Sequence, residues 1–248
     1  MQYKASFIMQ SIGQFLMFGI EFLAIWTLFD RFHTLMGWTL PEVGFLYGFI
    51  SIVFSLADAG SKGFEMVPTL IRTGEMDRIL LRPLSPLLQI AGVEFTLRRV
   101  GRLLQGLVIF IWACHCLAVV WSLPKIALLL GVGICGIVLF VGIIILQATL
   151  CFWTVESVEL GNILTYGGVE TAQMPLSIYP IGFQRFFTFV VPLGCISYYP
   201  LLLVMGKADP LGSSAWFQLI SPLLGIVFFW VALQGWSVGI KHYTSAGG

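Results

Sequence analysis

The feature that most limits the fold of this chain is a run of 30 residues, Ile126 to Val155, without a single Asp, Glu, Lys or Arg. A helix needs roughly 20 apolar residues to cross the hydrocarbon core of a bilayer. Leu103 to Pro124, Phe186 to Gly206 and Pro210 to Ile240 are uncharged in the same way. Two shorter runs precede them, Ala5 to Phe29, interrupted once by Glu21, and Val43 to Ala57, uninterrupted. The count is six crossings. The runs are continuous rather than alternating with a period of two, which excludes a β-barrel reading. Composition agrees: 58% of the residues are hydrophobic and only 10% charged, against about 25% charged in soluble domains. So few polar side chains cannot cover a water-exposed surface, and the expected fold is an all-α integral membrane protein, a single domain over residues 1–248 with the lipid bilayer as its first partner.

A net charge of +1 offers no basic surface for nucleic acid. Its placement is more informative, because positive residues favour the cytoplasmic side of short loops. Seven of the thirteen Lys and Arg residues are Lys62, Arg72, Arg78, Arg82, Arg98, Arg99 and Arg102. That segment is read as cytoplasmic. Alternating crossings then put Lys4, Lys241 and both termini inside, and Arg31, Lys125 and Lys207 outside. The first apolar stretch is longer than a signal-peptide core and reads as a crossing. Cysteines are odd in number, five, and Cys114, Cys116, Cys135 and Cys151 fall in apolar stretches, so no disulfide framework is expected.

Three motifs invite chemical readings and do not carry them. Gly131 to Gly136 reads GVGICG, the letters of a dinucleotide fingerprint, but that motif requires a strand before it and a helix after it. Cys114-His115-Cys116 sits on an apolar helix, where residues two apart point about 200° from each other and cannot both meet one ion. Gly44 and Gly48, continued by Ser51 and Ser55, form a small-residue stripe that lets two helix backbones approach. Its partner is open between this chain and a second copy. No nucleotide-binding loop, zinc motif or nucleophile elbow occurs, and His33, His115 and His242 are scattered. Catalytic residues, metal ligands and chain-bound cofactors are therefore not expected. If ATP is used, another chain hydrolyses it.

Residues 72–86, RTGEMDRILLRPLSP, interrupt the apolar pattern with five charges. Thr73 is placed to cap a helix, Glu75 and Asp77 occupy its positive first turn, Arg82 lies near its negative end, and Pro83 stops it. Met76, Ile79 and Leu80 share one face, leaving Asp77, Arg78 and Arg82 pointing elsewhere. The product is a short amphipathic helix on the cytoplasmic surface. Resting on lipid headgroups is the alternative role for such a helix.

The stretch IRTGEMDRILLRPLSPLLQ resembles the coupling-helix region of ABC-2 type permeases, the membrane subunits of ABC transporters, and in particular the viologen-exporter-like branch. GWTLPEVGFLYG at 37–48, FW at 152–153 and MPLSIYPIGFQRFFTFVVPLGCISYYPLLLVMGK at 174–207 are similar to the family in the expected order. The resemblance implies a multi-pass permease of the bacterial plasma membrane, an exporter subunit, with a cytoplasmic coupling helix between crossings 2 and 3 and re-entrant helices before crossing 6. It implies two ABC ATPase subunits as partners, carrying ATP and Mg, and a second permease, identical or similar. The ATPase contacts it implies are Glu75, Asp77, Arg78, Ile79, Leu80 and Arg82. Hydropathy alone would place the fifth crossing at 178–205, whereas the resemblance places it at 157–173 and folds 178–205 back from the outer side. Pro175, Pro180, Pro192 and Pro200 favour the second arrangement.

Ionisable groups inside a membrane cost about 2.5–3.5 kcal/mol at mid-depth on insertion scales, so each marks a partner or a watery path. Glu21 shares a face of the first helix with Gln10 and Gln14. Glu156, Glu159 and Glu170 gather around the fifth helix, in a stretch with no Lys or Arg, and together these four carboxylates are candidates for a translocation path favouring cations. The rival class is an ion-gradient-driven secondary transporter, which would carry internal repeats; none is seen in the sequence.

Overall fold

The computed structural model describes residues 4–92, 100–154 and 158–244. Among the described residues all regular structure is helical. The long elements are α1 (Lys4–Phe32), α2 (Leu40–Ser61), α6 (Val100–Cys116), α7 (Leu123–Leu150), α8 (Val158–Gln173) and α12 (Leu223–His242). Between α2 and α6 lie a 3-10 turn (Lys62–Met66) and three short helices, α3 (Val67–Arg72), α4 (Glu75–Leu80) and α5 (Pro86–Ala91). Between α8 and α12 lie α9 (Ile181–Arg185), α10 (Tyr198–Met205) and α11 (Ala215–Ile220). Among the described residues four helical stretches are long and apolar enough to cross a membrane: Ile8–Phe32, Leu40–Arg72, Leu123–Leu150 and Leu223–His242, with α6 a shorter apolar helix.

The sequence starts these helices where backbone donors need partners. Pro41 sits in the first turn of α2 and Glu42 reaches back so that its Oε2 accepts the Thr39 N–H at 2.8 Å. Pro124 opens α7 in the same manner. From Leu40 the helical pieces α2, the 3-10 turn and α3 follow one another to Arg72, a stretch of 33 residues in which Ser61 (φ −119°, ψ 10°) departs from helical dihedrals.

α2 is the centre of the bundle: 72% of its apolar window is buried, against 11% for α1. Small residues let its neighbours close in. A Cβ on Gly48 would lie 2.6 Å from the Phe110 nitrogen, and one on Gly106 would lie 2.8 Å from the Ser51 Cβ. The Gly44–Gly48 stripe is thus consumed by α6 of the same chain and offers no surface to a second copy. On its other side α2 meets α7, where a Cβ on Gly136 would strike Val53, and Phe54 packs edge-on to Phe140 at 5.2 Å. Gly136 belongs to GVGICG, so that string is a packing surface within α7.

These contacts fix the relative directions of the helices. Gly101 meets Ser11 and Trp112 meets Phe22 and Trp26, so α6 runs parallel to α1. Gly44 meets Trp112 while Gly106 meets Ser51, so α2 runs against α6. Gly225 meets Cys135, Gly142 meets Phe229 and Gly239 meets Thr149, so α12 runs parallel to α7.

Residues 178–205 are not one straight helix. Prolines and a five-residue π-helix at Phe186–Val190 break them into short pieces. Both feet of this broken segment stand at Trp38, which precedes α2. The Trp38 Nε1–H donates to Ser177 Oγ at 2.9 Å, and Lys207 Nζ lies 4.1 Å over the Trp38 ring while bridging to Glu42 at 2.7 Å. The segment therefore leaves and rejoins the same end of the bundle, and its middle, Ile196, reaches in to Gly136 and Gly225.

Candidate functional site

The charged insertion at the opposite end of the bundle folds into a packed lever. Gly74 has φ +73°, a left-handed conformation that suits glycine, and it turns the chain from α3 into α4. Thr73 does not cap α4 as its position in the sequence suggests. It closes α3 instead, its Oγ1–H donating to the Thr69 carbonyl at 3.0 Å. α4 is six residues long and ends at Leu80, so Arg82 lies beyond it, in the turn before Pro83.

Met76 is fully buried, and with Phe64, Val67, Leu70, Ile71 and Ile90 it forms one apolar cluster with the Cys151 end of α7 and with Ala232 and Trp236 of α12. Phe64 stands perpendicular to Trp236 at 5.7 Å. Gln89 ties the piece together, its Nε2 donating to the Ile79 and Leu84 carbonyls at 2.9 Å each. α5 lies so close to the 3-10 turn that a Cβ on Gly63 would overlap the Ile90 carbonyl at 1.8 Å. The sequence reading did not single out Gln89; a glutamine after a Pro-Leu-Ser-Pro turn has no pattern that marks a backbone staple.

The six residues assigned to partner contact divide in space. Glu75, Arg78 and Arg82 are exposed. Ile79 and Leu80 are half-buried against the lever's own cluster. Asp77 is half-buried and turned to Tyr243, just past α12, where burial first and the Asp77 carboxylate second raise the phenol above its ordinary range. The apolar groups that do project are Leu81, Leu84 and Leu88, between 65% and 85% exposed. The LeuLeu pair at 80–81 carried a signal for this, since adjacent positions on a helix cannot both face one core.

Of the four membrane carboxylates, the described side chains are those of Glu21 and Glu170. Glu156 lies outside the described residues, and Glu159 lies on α8 with its side chain outside them. Glu21 is half-buried, beside the Tyr47 hydroxyl and within electrostatic reach of Arg102 and Glu170, which is exposed on α8. Arg102, grouped by sequence with the basic loop, is instead buried in the first turn of α6, its guanidinium 4.4 Å from the Phe18 ring and 4.8 Å from the Phe54 ring. A lining of carboxylates alone is therefore not what surrounds Glu21. Nearer the lever, a cavity of about 200 Å³ is bounded by Phe64, Glu65, Gln147 and Tyr166. Gln147 Oε1 accepts from Thr165 at 2.9 Å, and deeper in, Gln173 donates to Ser51 Oγ at 2.9 Å. Among the described residues no three His, Cys, Asp or Glu side chains gather as metal ligands.

A helical bundle with a packed, charged insertion after its central helix is the frame on which comparison rests. The chain matches the ABC-2 family transporter protein description over residues 15–247. It belongs to the ABC-2 family. No curated protein and no solved structure matches it. As an ABC-2 transporter protein it is a membrane transport component, and its apolar helices are those of a multi-pass protein.

Proposed function

We propose that this ABC-2 chain is the permease subunit of an ABC exporter of the bacterial plasma membrane, driven by two separate ATPase subunits and paired with a second permease, identical or similar. The single observation that carries the reading is the lever: it exposes both signs of charge and three leucines, yet its inner face is fused to α7 and α12. A partner gripping Glu75, Arg78, Arg82 and Leu88 would move Met76, and with it the ends of two long helices. ATP and Mg belong to the partner, which does the chemistry.

The six crossings in this reading are α1, α2, α6, α7, α8 and α12, with residues 174–206 re-entrant from the outer side. Alternation requires α1 and α6 to run together, α2 to oppose them, and α7 and α12 to run together, which agrees with the contact registers. Lys62, Arg72, Arg78 and Arg82 then lie inside, with both termini, and Lys207 lies outside. α2 itself, 22 residues or about 33 Å at 1.5 Å per residue, matches a hydrocarbon core of about 30 Å, and the chain leaves helical dihedrals at Ser61 (φ −119°, ψ 10°) so that the 3-10 turn and α3 begin the lever.

The test is double charge reversal, Arg78→Glu with Arg82→Glu, in a complex purified with its ATPase and reconstituted in vesicles. Transport should fall about tenfold or more while the permease remains folded. Unchanged ATPase capture and unchanged transport would remove the coupling role. Transport at full rate without an ATPase would favour the gradient-driven alternative.

A further inference from the structure

The turn between α1 and α2 is held in a left-handed shape. His33, Met36 and Gly37 have φ of +58°, +49° and +82°, and Leu35 and Trp38 exchange two hydrogen bonds of 2.9 Å across it. Such backbone is uncommon away from glycine and persists where surrounding contacts hold it. Those contacts come from the far end of the folded-back segment. Lys207 Nζ donates to the Gly37 carbonyl at 2.9 Å and to Glu42 Oε2 at 2.7 Å, and it lies 4.1 Å over the Trp38 ring.

An ammonium group has three N–H donors and no acceptor. Here it meets a carbonyl, a carboxylate and the face of an indole, three partners that each favour a cation. The two side chains of the ion pair are only 22% and 16% exposed, so solvent screens them little. Residues other than the lysine build this seat. Glu42 Oε2 is held by the Thr39 N–H, and Trp38, fully buried, is fixed from behind by its bond to Ser177 and by the Tyr198 ring at 5.8 Å.

We propose that the α1–α2 turn is a site for a primary ammonium group, that Lys207 is its resident occupant, and that this occupancy acts as a catch. With the ammonium seated, the turn is kept in its left-handed form; with it withdrawn, residues 33–37 relax and free the end of α1. The moving part is the turn rather than the loop that bears the lysine. Asp209 ties that loop to Tyr198 at 2.6 Å and to the Leu211 and Ser213 N–H groups, and α10 behind it is buried. α1, by contrast, is the least buried of the four long apolar stretches. One ion pair set against three left-handed residues is a balance of comparable terms, as a reversible catch requires. The proposal does not rest on the ATPase-driven reading.

The test is amide hydrogen exchange on the full chain in nanodiscs, with the Leu35, Trp38 and Thr39 N–H groups, all hydrogen-bonded, as reporters of the turn. Lys207→Ala should speed exchange across 33–39 about tenfold or more, the loss of one charge-assisted contact, while 123–150 and 209–213 keep their native rates. Propylammonium, which restores the deleted atoms, should return the turn to slow exchange saturably; tetramethylammonium, a cation without an N–H, should not. Lys207→Met keeps the stem and loses only the ammonium, so it should match the alanine variant and ignore propylammonium. Native rates in both variants overturn the proposal, as does faster exchange that the two cations restore equally or that neither restores. So does a rise that spreads to 123–150 in both variants, which would make Lys207 a general support of the fold.

Discussion

Asp209 shows how a single side chain organises the loop between α10 and α11. Its carboxylate accepts the Tyr198 hydroxyl at 2.6 Å and the Leu211 and Ser213 N–H groups at 2.9 and 3.0 Å. Burial alone would raise its pKa, but the bonds from Ser213, Tyr198 and the Leu211 backbone outweigh it and hold the carboxyl below the ordinary range. A depressed carboxyl contributes stability above its unfolded value, about 4, and loses it as pH falls through the folded one. Asp209→Asn should therefore lower the thermal midpoint at neutral pH, and the gap to the native chain should close in acid; a constant gap would contradict the assignment. Met76 belongs to the same scale. Met76→Ala leaves a cavity under α4 and should cost about 2–4 kcal/mol locally, read as faster amide exchange across 67–91 with α6 unaffected.

At the scale of elements, the sequence and the structure part company where packing rather than pattern decides. The long apolar runs marked α1, α2, α7 and α12 directly, because such a stretch is what a crossing helix requires. Apolarity taken alone would put the fifth element at 178–205, whereas the prolines there and the family resemblance favoured 157–173, and the structure has α8 at Val158–Gln173 with only short pieces over 178–205. Charge counting grouped Arg102 with the basic loop by side of the membrane and said nothing of its burial; the seat between the Phe18 and Phe54 rings is visible only in the packing. The lever was legible as a charged helix between Arg72 and Pro83, but which leucine faces in and which faces out depended on Gly74 and Gln89. The crossing of α2 and α6 makes the sharpest prediction at this scale. Gly48→Leu would drive a side chain into the Phe110 backbone, a strain of about 1–3 kcal/mol or more, and should lower the yield of folded protein well below that of Gly131→Leu, which meets nothing within 4 Å.

For the whole molecule, the two ends of the bundle are chemically distinct. One carries the lever; the other carries Trp38 with Ser177, Glu42 and Lys207 gathered on it. In sealed vesicles, single cysteines placed at Leu88 and at Ala208 should react with an impermeant maleimide from opposite sides, measured in a background lacking the exposed Cys116. Labelling of both from one side would refute the alternation of crossings. The helical run from Leu40 to Arg72 joins these two ends, but Ser61 (φ −119°, ψ 10°) leaves the helical region where α2 passes into the 3-10 turn. That joint divides the run into a long buried stem and a short outer arm. A 3-10 stretch inside a helix commonly marks a hinge, so the arm can pivot at Ser61 while the stem and the folded-back segment above it keep their places.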